Sequence, residues 1–113
     1  MNRQFFHYPA CSTCRRAKSF LERKGAEFEV VDIVAHPPSK AQLLSMLERS
    51  GGEVRRLFNS SGELYREMKI KDKLPTMTTE ESVDLLSRHG KLIKRPFFIG
   101  DDVALVGFDE AKW

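Results

Sequence analysis

Phe5-Phe6-His7-Tyr8-Pro9-Ala10-Cys11-Ser12-Thr13-Cys14-Arg15-Arg16-Ala17-Lys18 reads as an apolar strand, a proline-containing turn and the start of an amphipathic helix. The only two cysteines of the chain lie in this stretch, three residues apart. With no other cysteine to build a disulfide framework, the pair points first to redox chemistry. If Ser12 and Thr13 open the helix, Cys11 sits where unpaired backbone N–H groups and the helix dipole favour an anion, and a thiolate is such an anion. The dipole contributes roughly 0.3–1 kcal/mol, less than one pKa unit. Any large shift therefore needs direct N–H bonds to the sulfur and the charges of Arg15 and Arg16. Cys14, one turn farther along nearly the same face, is placed to attack a mixed disulfide formed by Cys11. Half of a zinc site is the competing use of C-x-x-C, but there is no second pair, and His7, His36 and His89 show no ligand spacing around it. Two merely buried thiols are the remaining bland alternative.

The pattern outward from this stretch predicts one α/β domain over residues 1–113. A first helix over Ser12–Lys24 carries Ala17, Phe20 and Leu21 inward, turns Arg16 to water, and stops at Gly25. Phe28–Ile33 follows as a second strand, with Phe28, Val30 and Val31 available for burial. Strand, helix and strand of these lengths form a βαβ unit with parallel strands. Residues 39–90 read as a helical insertion. Ser39 caps a helix with Leu43, Leu44 and Leu47 on its apolar face, ended by Gly51-Gly52. Val54–Phe58 forms a turn, and Leu64–Met68 with Ile70 resumes helical spacing. Thr79, with Ser82 three residues on, caps a helix that ends at His89-Gly90. Phe97-Phe98-Ile99, the turn Gly100-Asp101-Asp102 and Val103–Phe108 predict a hairpin, with Pro96 at its start because proline cannot donate to a central ladder. The expected sheet order is second strand, first strand, then the two hairpin strands. Asp109–Ala111 could begin a last helix.

Composition bounds the function. The chain has 113 residues, 41% hydrophobic and 31% charged, with 19 Lys and Arg against 16 Asp and Glu, a net charge of +3. That excess is too small to imply direct nucleic-acid binding. No secretory apolar region follows Met1-Asn2-Arg3-Gln4, and no stretch approaches the roughly 20 apolar residues of a membrane span. The expected setting is a cytoplasmic monomer with no bound cofactor or metal, where a C-x-x-C pair is transient and reactive rather than a structural staple.

At Cys11-x-x-Cys14, the Pro37-Pro38 connection, Arg95-Pro96 and the closing Val106-Gly107-Phe108, the chain resembles the ArsC/Spx/YffB family of thioredoxin-like proteins over essentially its whole length. The resemblance implies a thioredoxin/glutaredoxin-like, mixed four-stranded sheet with a helical insertion. It also implies that Arg95 and a cis Pro96 fold back beside the redox turn. Arg95 is then the substrate or anion contact, joined by Ser12, Thr13 and Arg15 at the helix start, while Pro96 shapes the backbone. Glutaredoxin-coupled arsenate reductases of this family use two further arginines. These fall near Asn59 and at or near Gly107, so the chain lacks both. Spx-type regulators share the redox pair and act by contacting the C-terminal domain of the α chain of RNA polymerase, with Gly51-Gly52 near the corresponding region. The preferred function is thiol–disulfide oxidoreductase of unknown substrate, with Cys11 as nucleophile, Cys14 as resolver, and glutathione, thioredoxin or glutaredoxin as reductant. A polymerase-binding redox regulator is the alternative, and arsenate reductase ranks below both. Lys94 reads as a solvated strand flank, and Tyr8 as packing beside the turn.

Overall fold

The computed structural model describes residues 3–113, so Met1 and Asn2 lie outside the description. Phe5 and Phe6 are both buried because their strand, β1 (Gln4–His7), lies inside a sheet covered on both faces. Successive side chains of a strand point to opposite faces. Phe5 accordingly enters a cluster with Ala17, Leu21 and Phe98, while Phe6 enters a larger one with Ile33, Leu43, Met46, Leu86 and Phe97.

The sheet has the expected order β2-β1-β3-β4. Strand β2 (Glu29–Asp32) is parallel to β1, with Phe5 opposite Val30. Strand β3 (Phe97–Gly100) runs antiparallel to β1, and β4 (Val103–Val106) antiparallel to β3, so the Asp101-Asp102 hairpin closes the other edge. Helix α1 (Ser12–Arg23) covers the Phe5 face and ends where Gly25 adopts φ +74°. Phe20, expected inward, is only half-buried and packs edge-on against Phe108 at 5.7 Å. The expected burial of Val30 is not observed: at the edge of the sheet it remains 40% exposed, and burial at this end falls instead on Ile33.

The Phe6 face is covered by the insertion. Helix α2 (Lys40–Arg49) starts at Ser39, whose Oγ accepts from the Gln42 N–H while Gln42 Oε1 accepts from the Ser39 N–H. Its apolar stripe is Leu43, Met46 and Leu47; Leu44, expected on that stripe, is 47% exposed. The 43, 46, 47 spacing follows one face of a 3.6-residue helix, and position 44 rotates away from it. A 3₁₀ turn over Val54–Leu57, the short helices α3 (Glu63–Glu67) and α4 (Ile70–Lys73), and α5 (Thr79–Arg88) complete the layer. The cap of α5 is Thr78, not Thr79, because position 78 puts Glu81 three residues on and closes a reciprocal capping box. Ser82 is thereby a buried interior residue.

The C-terminal residues form one turn rather than a helix: the Asp109 carbonyl accepts from the N–H groups of Lys112 and Trp113. Tertiary contacts hold it. Trp113 stacks on Phe98 at 5.4 Å, meets Phe5 and Phe108 edge-on, and donates its indole N–H to the Gly107 carbonyl at 3.0 Å. The βαβ half, the antiparallel hairpin and the helical layer together make a thioredoxin/glutaredoxin-like α/β fold.

Candidate redox site

Cys11 is the residue at which the chain leaves β1 and enters α1. Its backbone is extended (φ −90°, ψ 113°), and its sulfur caps the helix by accepting the Cys14 N–H at 3.3 Å. Sulfur thus stands where Ser, Thr or Asp oxygen usually caps a helix. The turn before it is pinned by the Cys11 N–H donating to the Tyr8 carbonyl at 2.9 Å.

The two thiols differ in environment. Cys11 is partly exposed, and Cys14 is buried at 1% exposure. Burial pushes the Cys14 thiol up to about 12, only partly opposed by the Tyr8 backbone and the charge of Arg95. The Cys11 sulfur is thus the more accessible of the two, and burial holds the Cys14 thiol in its protonated, less reactive form.

Cys11, Ser12, Thr13 and Arg95 line one cleft of about 710 Å³ together with Tyr8, Arg16, Asn59 and Lys94. The Arg95–Pro96 bond is cis, and the Arg95 guanidinium lies over the Tyr8 ring, 4.6 Å from its centroid. Arg95 Nη1 is buried without a hydrogen-bond partner among the described residues. Arg15 is elsewhere: its Nη1 donates to the Pro9 carbonyl at 3.0 Å, and it does not line the cleft. Arg16 does. The signal for this was in the spacing, because Arg16 is four residues beyond Ser12 and shares its helical face. Asn59 and Gly107, the places at which the resemblance implies further arginines, also border the cleft. Gly107 has φ +74°, and a Cβ there would meet Lys94 Cε at 2.9 Å and Nζ at 3.7 Å. Lys94 is exposed, and from there it places a positive charge beside position 107 at the cleft. Among the described residues no group of three or more His, Cys, Asp or Glu side chains converges as a metal site would require. No described helix is long and apolar enough to cross a membrane.

Comparison with known proteins agrees with this geometry. The chain is 43% identical over 113 residues to the YusI protein of Bacillus subtilis, covering all of this chain and 96% of that one. It is 34% identical over 94 residues to an arsenate reductase of Rhizobium meliloti, covering 83% of this chain and 66% of that one. A crystal structure of an ArsC-family-related protein from Bacteroides fragilis superposes with a TM-score of 0.93 at 42% identity, over 100% of this chain and 95% of the other. Global transcriptional regulators named Spx from streptococci match at lower identity, 24% over 93% of this chain for that of Streptococcus mutans. The sequence profile of the ArsC family matches residues 6–113, and with the C-x-x-C pair at the head of α1 this chain belongs to the ArsC family.

Proposed function

We propose that the protein is a thiol–disulfide oxidoreductase in which Cys11 is the nucleophile and Cys14 the resolving thiol. The observation that carries this reading is the asymmetry of the pair: a partly exposed sulfur capping a helix, and a buried one with its thiol pushed up to about 12. In the first step the Cys11 thiolate attacks one sulfur of a substrate disulfide. A Cys11–substrate disulfide forms and the other half leaves as a thiolate that takes up a proton. Cys14 then loses its proton and attacks the Cys11 sulfur. The second substrate half leaves as a thiol, and the protein is left with an internal disulfide. Two equivalents of a small thiol such as glutathione, or one dithiol protein of the thioredoxin or glutaredoxin class, restore the reduced pair and are themselves oxidised. Arg95, Arg16 and Lys94 would attract an anionic substrate, with Ser12 and Thr13 supplying the helix N-terminus.

A second reading has its own support in the similarity to streptococcal regulators and in the exposed Gly51-Gly52, both at positive φ, at the end of α2. Under it the same disulfide switches binding to the C-terminal domain of the α chain of RNA polymerase. One paired experiment separates the two. Wild type and Cys11→Ser are assayed for glutathione-dependent reduction of hydroxyethyl disulfide and of arsenate, and for binding to that polymerase domain. Disulfide turnover that is lost in Cys11→Ser is the expected result. Negligible turnover with tight, redox-dependent polymerase binding would reject the oxidoreductase reading in favour of the regulator.

A further inference from the structure

Strand β4 is an edge of the sheet with no strand paired to its outer side among the described residues. In an antiparallel pair the residues alternate between those that bond the partner and those whose N–H and C=O point away. The Gly107 N–H donates to the Pro96 carbonyl, so with Phe97 opposite Val106 the bonded positions of β4 are 105 and 103. Ala104 and Val106 therefore turn their N–H and C=O groups outward. Among the described residues nothing hydrogen-bonds them.

This edge forms one wall of a second cleft, of about 630 Å³, whose charged side chains are Arg49, Arg56, Lys94 and Lys112 against Asp109. Neither Lys94 nor Lys112 takes part in an ion pair among the described residues, and Arg56 reaches only Glu53, at 3.5 Å. The cleft shares Lys94, Gly107 and Phe108 with the one that holds Cys11, so the basic surface is continuous from the β4 edge to the reactive sulfur.

We infer that this edge is the substrate-docking surface, and that its occupant is an extended acidic polypeptide segment that pairs with Ala104 and Val106 and delivers an oxidised cysteine to Cys11. The inference rests on the oxidoreductase reading and names its substrate class. An added strand satisfies outward N–H and C=O groups together, which a nucleic-acid backbone, rich in acceptors, does not. A second copy of this chain would set the same cations against each other. An acidic strand matches both the backbone pattern and the charge.

The test uses a fluorescein-labelled, cysteine-free peptide of alternating Glu and Val, followed by anisotropy with wild type and Cys11→Ser. Two further versions are N-methylated at every other residue, one in each frame. Binding to both proteins is expected, lost for one methylated frame and kept for the other, because a strand presents alternate amides to its neighbour. The double variant Arg56→Glu/Lys112→Glu, checked for native circular dichroism, should weaken binding at least tenfold. Equal binding of the Lys-Val counterpart, tolerance of methylation in both frames, tighter binding of oligothymidylate, or concentration-dependent dimerisation in place of peptide binding would each overturn the inference. Reduction of hydroxyethyl disulfide by wild type is measured alongside. Turnover without peptide binding leaves the oxidoreductase reading and removes this one, whereas peptide binding without turnover removes the oxidoreductase reading and with it the substrate role of this edge, leaving a peptide-binding surface alone.

Discussion

Replacing Cys11 by Ser leaves Cys14 as the sole thiol, on the buried face of α1, and its reactivity measures how strongly the fold suppresses ionisation at that position. Its thiol is pushed up to about 12 from an ordinary 9.0, chiefly by burial, with the neighbouring Cys11 sulfur adding to the shift. A displacement of that size lowers the thiolate fraction near neutral pH about a thousandfold. The thiolate that remains is more nucleophilic, and with a Brønsted coefficient of about 0.4–0.5 it recovers a factor of about 15–30. The net expectation from ionisation alone is that Cys14 reacts with a small disulfide such as dithiodipyridine about 30–60-fold more slowly than the same residue in the urea-unfolded chain. Removing the Cys11 sulfur reduces this figure, and restricted access to Cys14 increases it. The pH profile is more telling than the rate. The unfolded thiol should plateau above about pH 9, while the native thiol keeps accelerating toward 12. The same difference sets a stability trend: above pH 9 the unfolded chain releases a proton that the native chain holds, so stability should fall as pH rises from 9 toward 12. A native profile that plateaus at or below pH 9, with a rate within threefold of the unfolded chain, would refute the assigned roles of the two cysteines.

Mild oxidation of wild type should give an intramolecular Cys11–Cys14 disulfide, seen after alkylation as a protein two hydrogens lighter and unlabelled; quantitative labelling of both thiols is the contrary result. Gly90→Ala should destabilise by about 3 kcal/mol or more in urea titration, because the new methyl would lie 1.9 Å from the Ile33 carbonyl oxygen and backbone would have to move. Ser39→Ala should lose about 1 kcal/mol by removing the side-chain half of the α2 capping box, with Ser39→Asp retaining most of it. Trp113→Leu should cost about 1–3 kcal/mol through the lost stacking on Phe98 and the lost bond to Gly107. In the wild type this lone tryptophan should change its fluorescence when a ligand enters the Cys11 cleft, since Gly107 and Phe108 border both.

Local chemistry made several features legible before any coordinates. The C-x-x-C pair at a strand-to-helix turn, the stop at Gly25, the cap at Ser39 and the Gly100–Val103 hairpin follow from short-range hydrogen bonding and backbone preference, which a few adjacent residues determine. The βαβ start and hairpin finish then leave few sheet orders, and the observed β2-β1-β3-β4 is the one that these connections favour. Burial at the margins was decided elsewhere. Val30 and Leu44 look like core residues by type, yet one lies on an edge strand and the other is rotated off the packed face, and neither location is encoded nearby in the chain. The site divides in the same way. The sequence by itself determined which two sulfurs lie together at the head of α1, because their spacing and the helix start are local. Only the tertiary structure decided which distant cations accompany them, since Arg95 and Lys94 come from 80 or more residues away. It also decided that β4 is an open edge beside a basic cleft, a property of how distant segments pack and therefore of no single stretch of the chain.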